Sequence, residues 1–154
     1  MTDIREDIVT AYATRLGAIA TGSGYRTTID TVERGYRDPS LVGAAERPYI
    51  GIVVMDESCQ DEPGRVVTLM RIALACYVRP DAATAASVTA ALSNFAADVR
   101  KALYTSPANL SVDGVIFARV VRRQGSEGLL ESARTRDGTM VLETIVKFWE
   151  EATA

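Results

Sequence analysis

Residues 65–79 alternate as a strand would, yet they are apolar on both sides, and that limits what this chain can fold into. Val66, Thr68, Met70, Ile72, Leu74, Cys76 and Val78 share one face. Val67, Leu69, Arg71, Ala73, Ala75, Tyr77 and Arg79 share the other. Fully extended, the run spans roughly 50 Å at ~3.3 Å per residue, well beyond the usual strand, so a bulge or bend is expected in it. Both faces need cover, and the question is where that cover comes from.

The rest of the chain supplies one side. Residues 3–20 read as an amphipathic helix. Ile4, Ile8, Tyr12, Leu16 and Ile19 recur at helical spacing, Asp3 is the expected N-cap, and Glu6 would complete a capping box. A second helix follows Pro80, with Asp81 as its expected N-cap and Val88, Leu92, Phe95, Val99 and Leu103 as its buried stripe. Further strands are predicted at 26–35, Tyr49–Met55, 114–123 and 139–149. Loops are predicted at 36–47 and 125–138, and the acidic stretch 56–64 reads as a turn region. The order is α-β-β-β-α-β-β. It predicts one α+β domain over 1–154, with a mixed or antiparallel sheet of about five strands and two helices packed on one face. Such a sheet is about 24 Å wide, and two helices of ~10 Å diameter span it once. The second face is left without a layer. An exposed apolar patch of that size is expected to meet a partner, most simply sister copies of the chain.

Composition narrows the function classes. The formal charge of −3 is wrong for wrapping duplex DNA. No stretch approaches the ~20 apolar residues of a membrane span, and the first residues lack the pattern of a signal peptide. Cys59 and Cys76 have no CxxC spacing, so reduced thiols are expected and a zinc site is not. Fifteen of the seventeen basic residues are arginine, a bias toward bidentate pairing at interfaces that a GC-rich genome would also produce.

Catalytic vocabulary is sparse. The chain has no histidine, which removes Ser-His-Asp and Cys-His nucleophile systems. No phosphate-cradling glycine motif occurs. Gly125-Ser126-Glu127-Gly128 lies between two strands rather than opening a helix. The acidic run 56–62 lacks the ligand spacing of an EF-hand. Lys101 and Lys147 fall on polar faces, where a solvated role is expected. Arg119, Arg122 and Arg123 cluster in the fourth strand, with Arg134 and Arg136 in the loop after it. Phosphate contact is one reading. Ion pairs to Glu127, Glu131, Asp137 or a neighbouring subunit are the preferred one, because no aromatics interleave the arginines. Phe148 and Trp149 must point to opposite faces, so one ring enters the core and the other faces outward. No catalytic residue, cofactor or metal is expected.

Several stretches then carry a family likeness. After the first helix comes Gly24-Tyr25-Arg26-Thr27-Thr28-Ile29-Asp30-Thr31-Val32. Arg47-Pro48-Tyr49-Ile50-Gly51-Ile52 opens the second strand. The long strand closes on Tyr77-Val78-Arg79, and the second helix ends Asp98-Val99-Arg100-Lys101-Ala102-Leu103. Together, over nearly the whole chain, these resemble phage tail terminator (tail completion) proteins. The resemblance implies a virion subunit at the tail-neck junction, assembled in the host cytoplasm. It implies a ring, a hexamer by family habit, on the head-proximal end of the tail tube. That ring stops tube growth, joins the neck and lets the genome pass through its lumen without sequence-specific contact. Its partners would be its own copies, the tail tube protein, a neck or head-completion protein and, in contractile tails, the sheath.

The family fixes no binding residues here, so contact candidates rest on exposure and charge. Segment 36–47 offers Arg37, Asp38 and Arg47. The acidic stretch offers Asp56, Glu57, Asp61 and Glu62, and the long strand offers Arg71 and Tyr77. The C-terminal third offers Arg119, Arg122, Arg123, Glu131, Arg134, Arg136 and Trp149. Two other classes stay open at this point: another neck or head-completion connector, and a small enzyme or ligand-binding module using an apolar pocket between helix and sheet.

Overall fold

A computed structural model of the protein describes residues 3–78, 85–104, 109–125 and 138–152. The elements are α1 (Ile4–Gly17), β1 (Thr31–Arg34), β2 (Tyr49–Glu62), β3 (Arg65–Tyr77), α2 (Ala85–Tyr104), β4 (Val115–Gly125) and β5 (Thr139–Glu151). They form one five-stranded sheet in the order β1-β2-β3-β5-β4. β1 lies parallel to β2 and every other pairing is antiparallel. The predicted α+β class and element order hold.

Both helices cover the same face. Ile8, Tyr12 and Leu16 of α1, with Leu92, Phe95 and Val99 of α2, close over Ile50, Ile52, Met70, Ile72, Leu74, Leu142, Val146 and Phe148 in one continuous core. These strand residues share a face because strand side chains alternate. Phe148 is fully buried there, while the neighbouring Trp149 points the other way and stays 37% exposed.

A buried relay joins α1 to the sheet. The Tyr12 hydroxyl lies 2.7 Å from Thr144 Oγ1, and Thr144 Oγ1 donates to the Ile72 carbonyl at 2.9 Å. A hydroxyl has one proton, so Tyr12 must be the donor in the first bond. Burial pushes the Tyr12 phenol well above its ordinary range, which keeps that proton in place.

Several local expectations need correction. Asp3 does cap α1, accepting from the Arg5 N–H at 2.9 Å. Glu6 makes no capping box; its carboxylate pairs with Arg34 at 2.8 Å. The strand predicted over 26–35 shrinks to Thr31–Arg34. The backbone before it is committed elsewhere: Arg26 N–H to the buried Asp98 carboxylate, Ile29 N–H to Ile19 and Asp30 N–H to Pro48.

The acidic stretch 56–64 is not a turn region. β2 continues to Glu62, and only Pro63-Gly64 turns the chain, with Gly64 at φ +80°. The irregularity expected in the long strand sits in its partner instead, where the register slips between Val54 and Glu57. β3 runs unbroken because that extra residue on β2 absorbs the mismatch. The N-cap expected at Asp81 lies outside the described residues, as does most of the loop expected at 125–138.

Candidate functional site

The sequence predicts that the sheet face away from the helices is bare and apolar. That expectation is corrected at one end. Segment 36–47 folds back as a strap over Tyr49, Ala75 and Tyr77 and forms a second small core with them through Val42. Two short helical turns, Pro39–Leu41 and Ala44–Glu46, shape the strap. Asp38 opens the first by accepting from the Ser40 N–H and hydroxyl.

The strap is pinned by an arginine–tyrosine stack. The Tyr49 and Tyr77 rings lie 5.1 Å apart and 13° from parallel. The Arg37 guanidinium sits 5.5 Å from the Tyr49 centroid, and that of Arg47 sits 5.7 Å from Tyr77. Tyr49 donates its hydroxyl to Glu33, and Tyr77 donates to the Arg37 carbonyl at 2.8 Å. Arg37 bridges Glu33 and Glu46, each at 2.7 Å. Arg47 donates to the carbonyls of Pro39 and Val42. The hydrogen bond from Tyr49, then that from Arg37, holds the Glu33 carboxyl below its ordinary value. Arg37 does the same for Glu46. Burial pushes the Tyr77 phenol up to about 12.

Two of the predicted contact residues therefore work inside the subunit. Arg47 is 3% exposed and Tyr77 is 4% exposed, so neither offers a partner any surface. Sequence pattern cannot separate a buried arginine bound to carbonyls from a solvated one. Arg37 is held by its own chain's carboxylates but keeps a third of its side chain in solvent.

Beyond the strap no described residue covers the face. A shallow hollow of about 450 Å³ lies beside it, lined by Tyr36, Val53, Met55, Ala73, Ala75 and Val141. Tyr36 and Met55 are 63% and 53% exposed. Charge crosses the middle of the face, which is a second correction to the apolar expectation. Arg71 pairs with Asp56 at 3.3 Å and Glu143 at 3.4 Å. Past that row, Leu69 and Trp149 are again exposed. The hollow lies on the face opposite the helices, not between helix and sheet, where a ligand-binding module would place its pocket.

The remaining candidates lie at the sheet's two margins. Glu57 is drawn toward α1, where Arg5 bridges it at 2.7 Å and Glu150 at 2.6 Å. Glu62 pairs with Arg65 across the hairpin end at 2.6 Å, whereas Asp61 makes no ion pair among the described residues. On β4, the Arg119 guanidinium stacks 4.0 Å from the Phe117 ring, and the Arg122 guanidinium lies beside the Gln124 side-chain amide. Arg123 is exposed on the same strand. Glu131, Arg134 and Arg136 lie outside the described residues.

Two structural ties escaped the sequence reading. Asp98, inside α2, is 3% exposed and accepts the Arg26 N–H with both carboxylate oxygens. Lys101 donates to the Gly24 carbonyl at 2.8 Å and sits over the Tyr25 ring. No group of His, Cys, Asp and Glu side chains that could hold a metal ion occurs among the described residues. No helix among them is long and apolar enough to cross a membrane.

No protein-family model and no curated protein matches the sequence. A solved structure does match the fold. It is a chain in the virion of a native gene transfer agent particle, with a TM-score of 0.56 and 18% identity. The likeness covers 92% of this chain and 93% of that one.

Proposed function

We propose that this chain is a structural subunit of a phage-type virion and acts as a tail terminator. Copies of it form a ring, six by family habit, on the head-proximal end of the tail tube. The ring ends tube polymerisation and presents a surface to the neck and, in a contractile tail, to the sheath. The genome passes through its lumen at the tail-neck junction.

The observation that carries this reading is the extent of the likeness to the virion chain. It takes in 92% of this chain and 93% of that one, so the likeness is not confined to a short common fragment. Three features of the molecule support it. The second sheet face keeps an open, partly apolar hollow beside the strap. The exposed arginines of β4 and the acidic end of β2 suit contacts between proteins. The chain's lack of histidine fits a role that performs no chemistry.

The test is direct. Purified protein mixed with growing tail tubes should arrest elongation and appear as a cap at one end by electron microscopy. Tubes that continue to lengthen uncapped would refute the terminator role. Labelled protein found elsewhere in the neck would assign it to a connector instead. A large, reproducible thermal shift with a small metabolite would redirect the reading to ligand binding.

A further inference from the structure

The two margins of the sheet are unlike, and they are complementary. β1 pairs only with Tyr49–Ile52, so β2 has no strand on its outer side from Val53 to Glu62 among the described residues. That margin carries Asp56, Glu57, Asp61 and Glu62 and no basic residue of its own, although Arg71, Arg5 and Arg65 of the same chain already pair with Asp56, Glu57 and Glu62 and an incoming arginine must share them. Among the described residues β4 ends the sheet on the other side. Its eleven residues include Arg119, Arg122 and Arg123 and no acidic residue. Open strand edges invite pairing with another chain.

Strand directions fit as well. β2 is antiparallel to β3, β3 to β5, and β5 to β4. β4 therefore runs antiparallel to β2. A second copy laid beside the first in the same orientation brings its β4 antiparallel to the first copy's β2. The ladder supplies a matching row. Arg119 lies opposite Ile145, Ile145 opposite Arg71, and Arg71 pairs with Asp56. Asp56 and Arg119 thus occupy the two ends of one row, and docking without a stagger would bring them together. Pairing β4 with β4, or β2 with β2, would instead set like charges face to face.

We infer that copies of this chain join head to tail, the acidic β2 margin of one against the arginine-bearing β4 margin of the next. This deepens the ring reading above, since it names the surfaces that meet, and a head-to-tail contact closes into a ring when its rotation permits. The free subunit holds its β4 edge in check. The Tyr104 hydroxyl accepts from the Val120 N–H at 3.0 Å, so an incoming strand must displace it.

The experiment is a charge swap read by sedimentation at low salt, where such contacts are strongest. One variant carries Arg119→Glu and Arg122→Glu; the other carries Asp56→Arg and Asp61→Arg. Each alone should associate at least tenfold more weakly than the wild type, the loss of roughly 1.4 kcal/mol. Circular dichroism and melting temperature should show both variants folded. Mixed in equal amounts, they should restore assembly, because each variant's altered margin now faces an opposite charge. Tyr104→Phe should strengthen association by freeing the edge. Folded variants that each assemble as the wild type does, or a mixture that stays apart, would overturn the assignment. So would a wild type still monomeric at about 1 mM protein, where even ~4 kcal/mol of attraction shows. Tube capping separates the two claims. If both charge variants cap tubes as the wild type does, the margins are wrong and the terminator role stands. If the wild type fails to cap, the terminator role falls whatever the margins do.

Discussion

Replacing Thr144 by valine removes one hydroxyl from the centre of the core and strands another. Tyr12 and Thr144 are both fully buried, and the proton order runs from Tyr12 to Thr144 to the Ile72 carbonyl. Valine keeps the shape at 144 but accepts nothing, so the Tyr12 hydroxyl is left in an apolar site without a partner. An orphaned group of this kind costs roughly 1–3 kcal/mol. Tyr12→Phe is milder, about 1 kcal/mol, because Thr144 still donates to Ile72. In a chain of this size each kcal/mol is about 2–4 °C in Tm, so Thr144→Val should melt roughly 4–8 °C lower and Tyr12→Phe about half that. The double variant leaves no buried hydroxyl behind and should be more stable than Thr144→Val alone. Its coupling energy should be about 1–2 kcal/mol. Urea unfolding of the four proteins measures the cycle. A double variant that loses the sum of the two single losses would refute the directional relay.

Three further outcomes are expected. The carboxyls of Glu33, Glu46 and Asp38 are held below their ordinary values by Tyr49, Arg37 and Ser40 respectively. Their contribution to the strap is therefore present above the ordinary carboxylate range and lost as pH falls through the folded-state values. Amide exchange over 36–47 should rise on acidification before exchange in β3 does, and equal loss in both would count against it. Gly51→Ala should loosen the same strap, since an added Cβ would sit 2.6 Å from the Gly35 carbonyl oxygen and 2.8 Å from Tyr36 Cβ. Overpacking of this kind costs about 1–3 kcal/mol, readable as a lower urea midpoint. A thiol reagent should label Cys59 quickly in the native protein. Cys76 should wait for unfolding, because it is buried and its thiol is pushed well above the ordinary range.

The β4 arginines were legible as surface groups because arginine seldom enters a core unpaired, whereas the stacking of Arg119 on Phe117 was not legible, since the sequence showed no aromatics interleaved among the arginines. Phe148 and Trp149 were legible as opposite-facing because alternation is built into any strand. The strap was not legible. Its stack needs Arg37, Tyr49, Tyr77 and Arg47 to meet from two strands and a loop, and no local pattern records that meeting.

Local periodicity by itself determined the elements and their order, and with two helices it determined that only one sheet face would receive a helical layer. Where backbone donors found partners outside the ladder, as at Arg26 and Ile29, propensity was overruled and the predicted strand shortened. The continuation of β2 through acidic residues was likewise a tertiary decision. β3 offered a full-length edge to pair with, and pairing satisfied backbone groups that a turn would have left to water. Tertiary structure alone decided which end of the second face is closed and which margins stay open, because those depend on where strands from distant parts of the chain come to lie side by side.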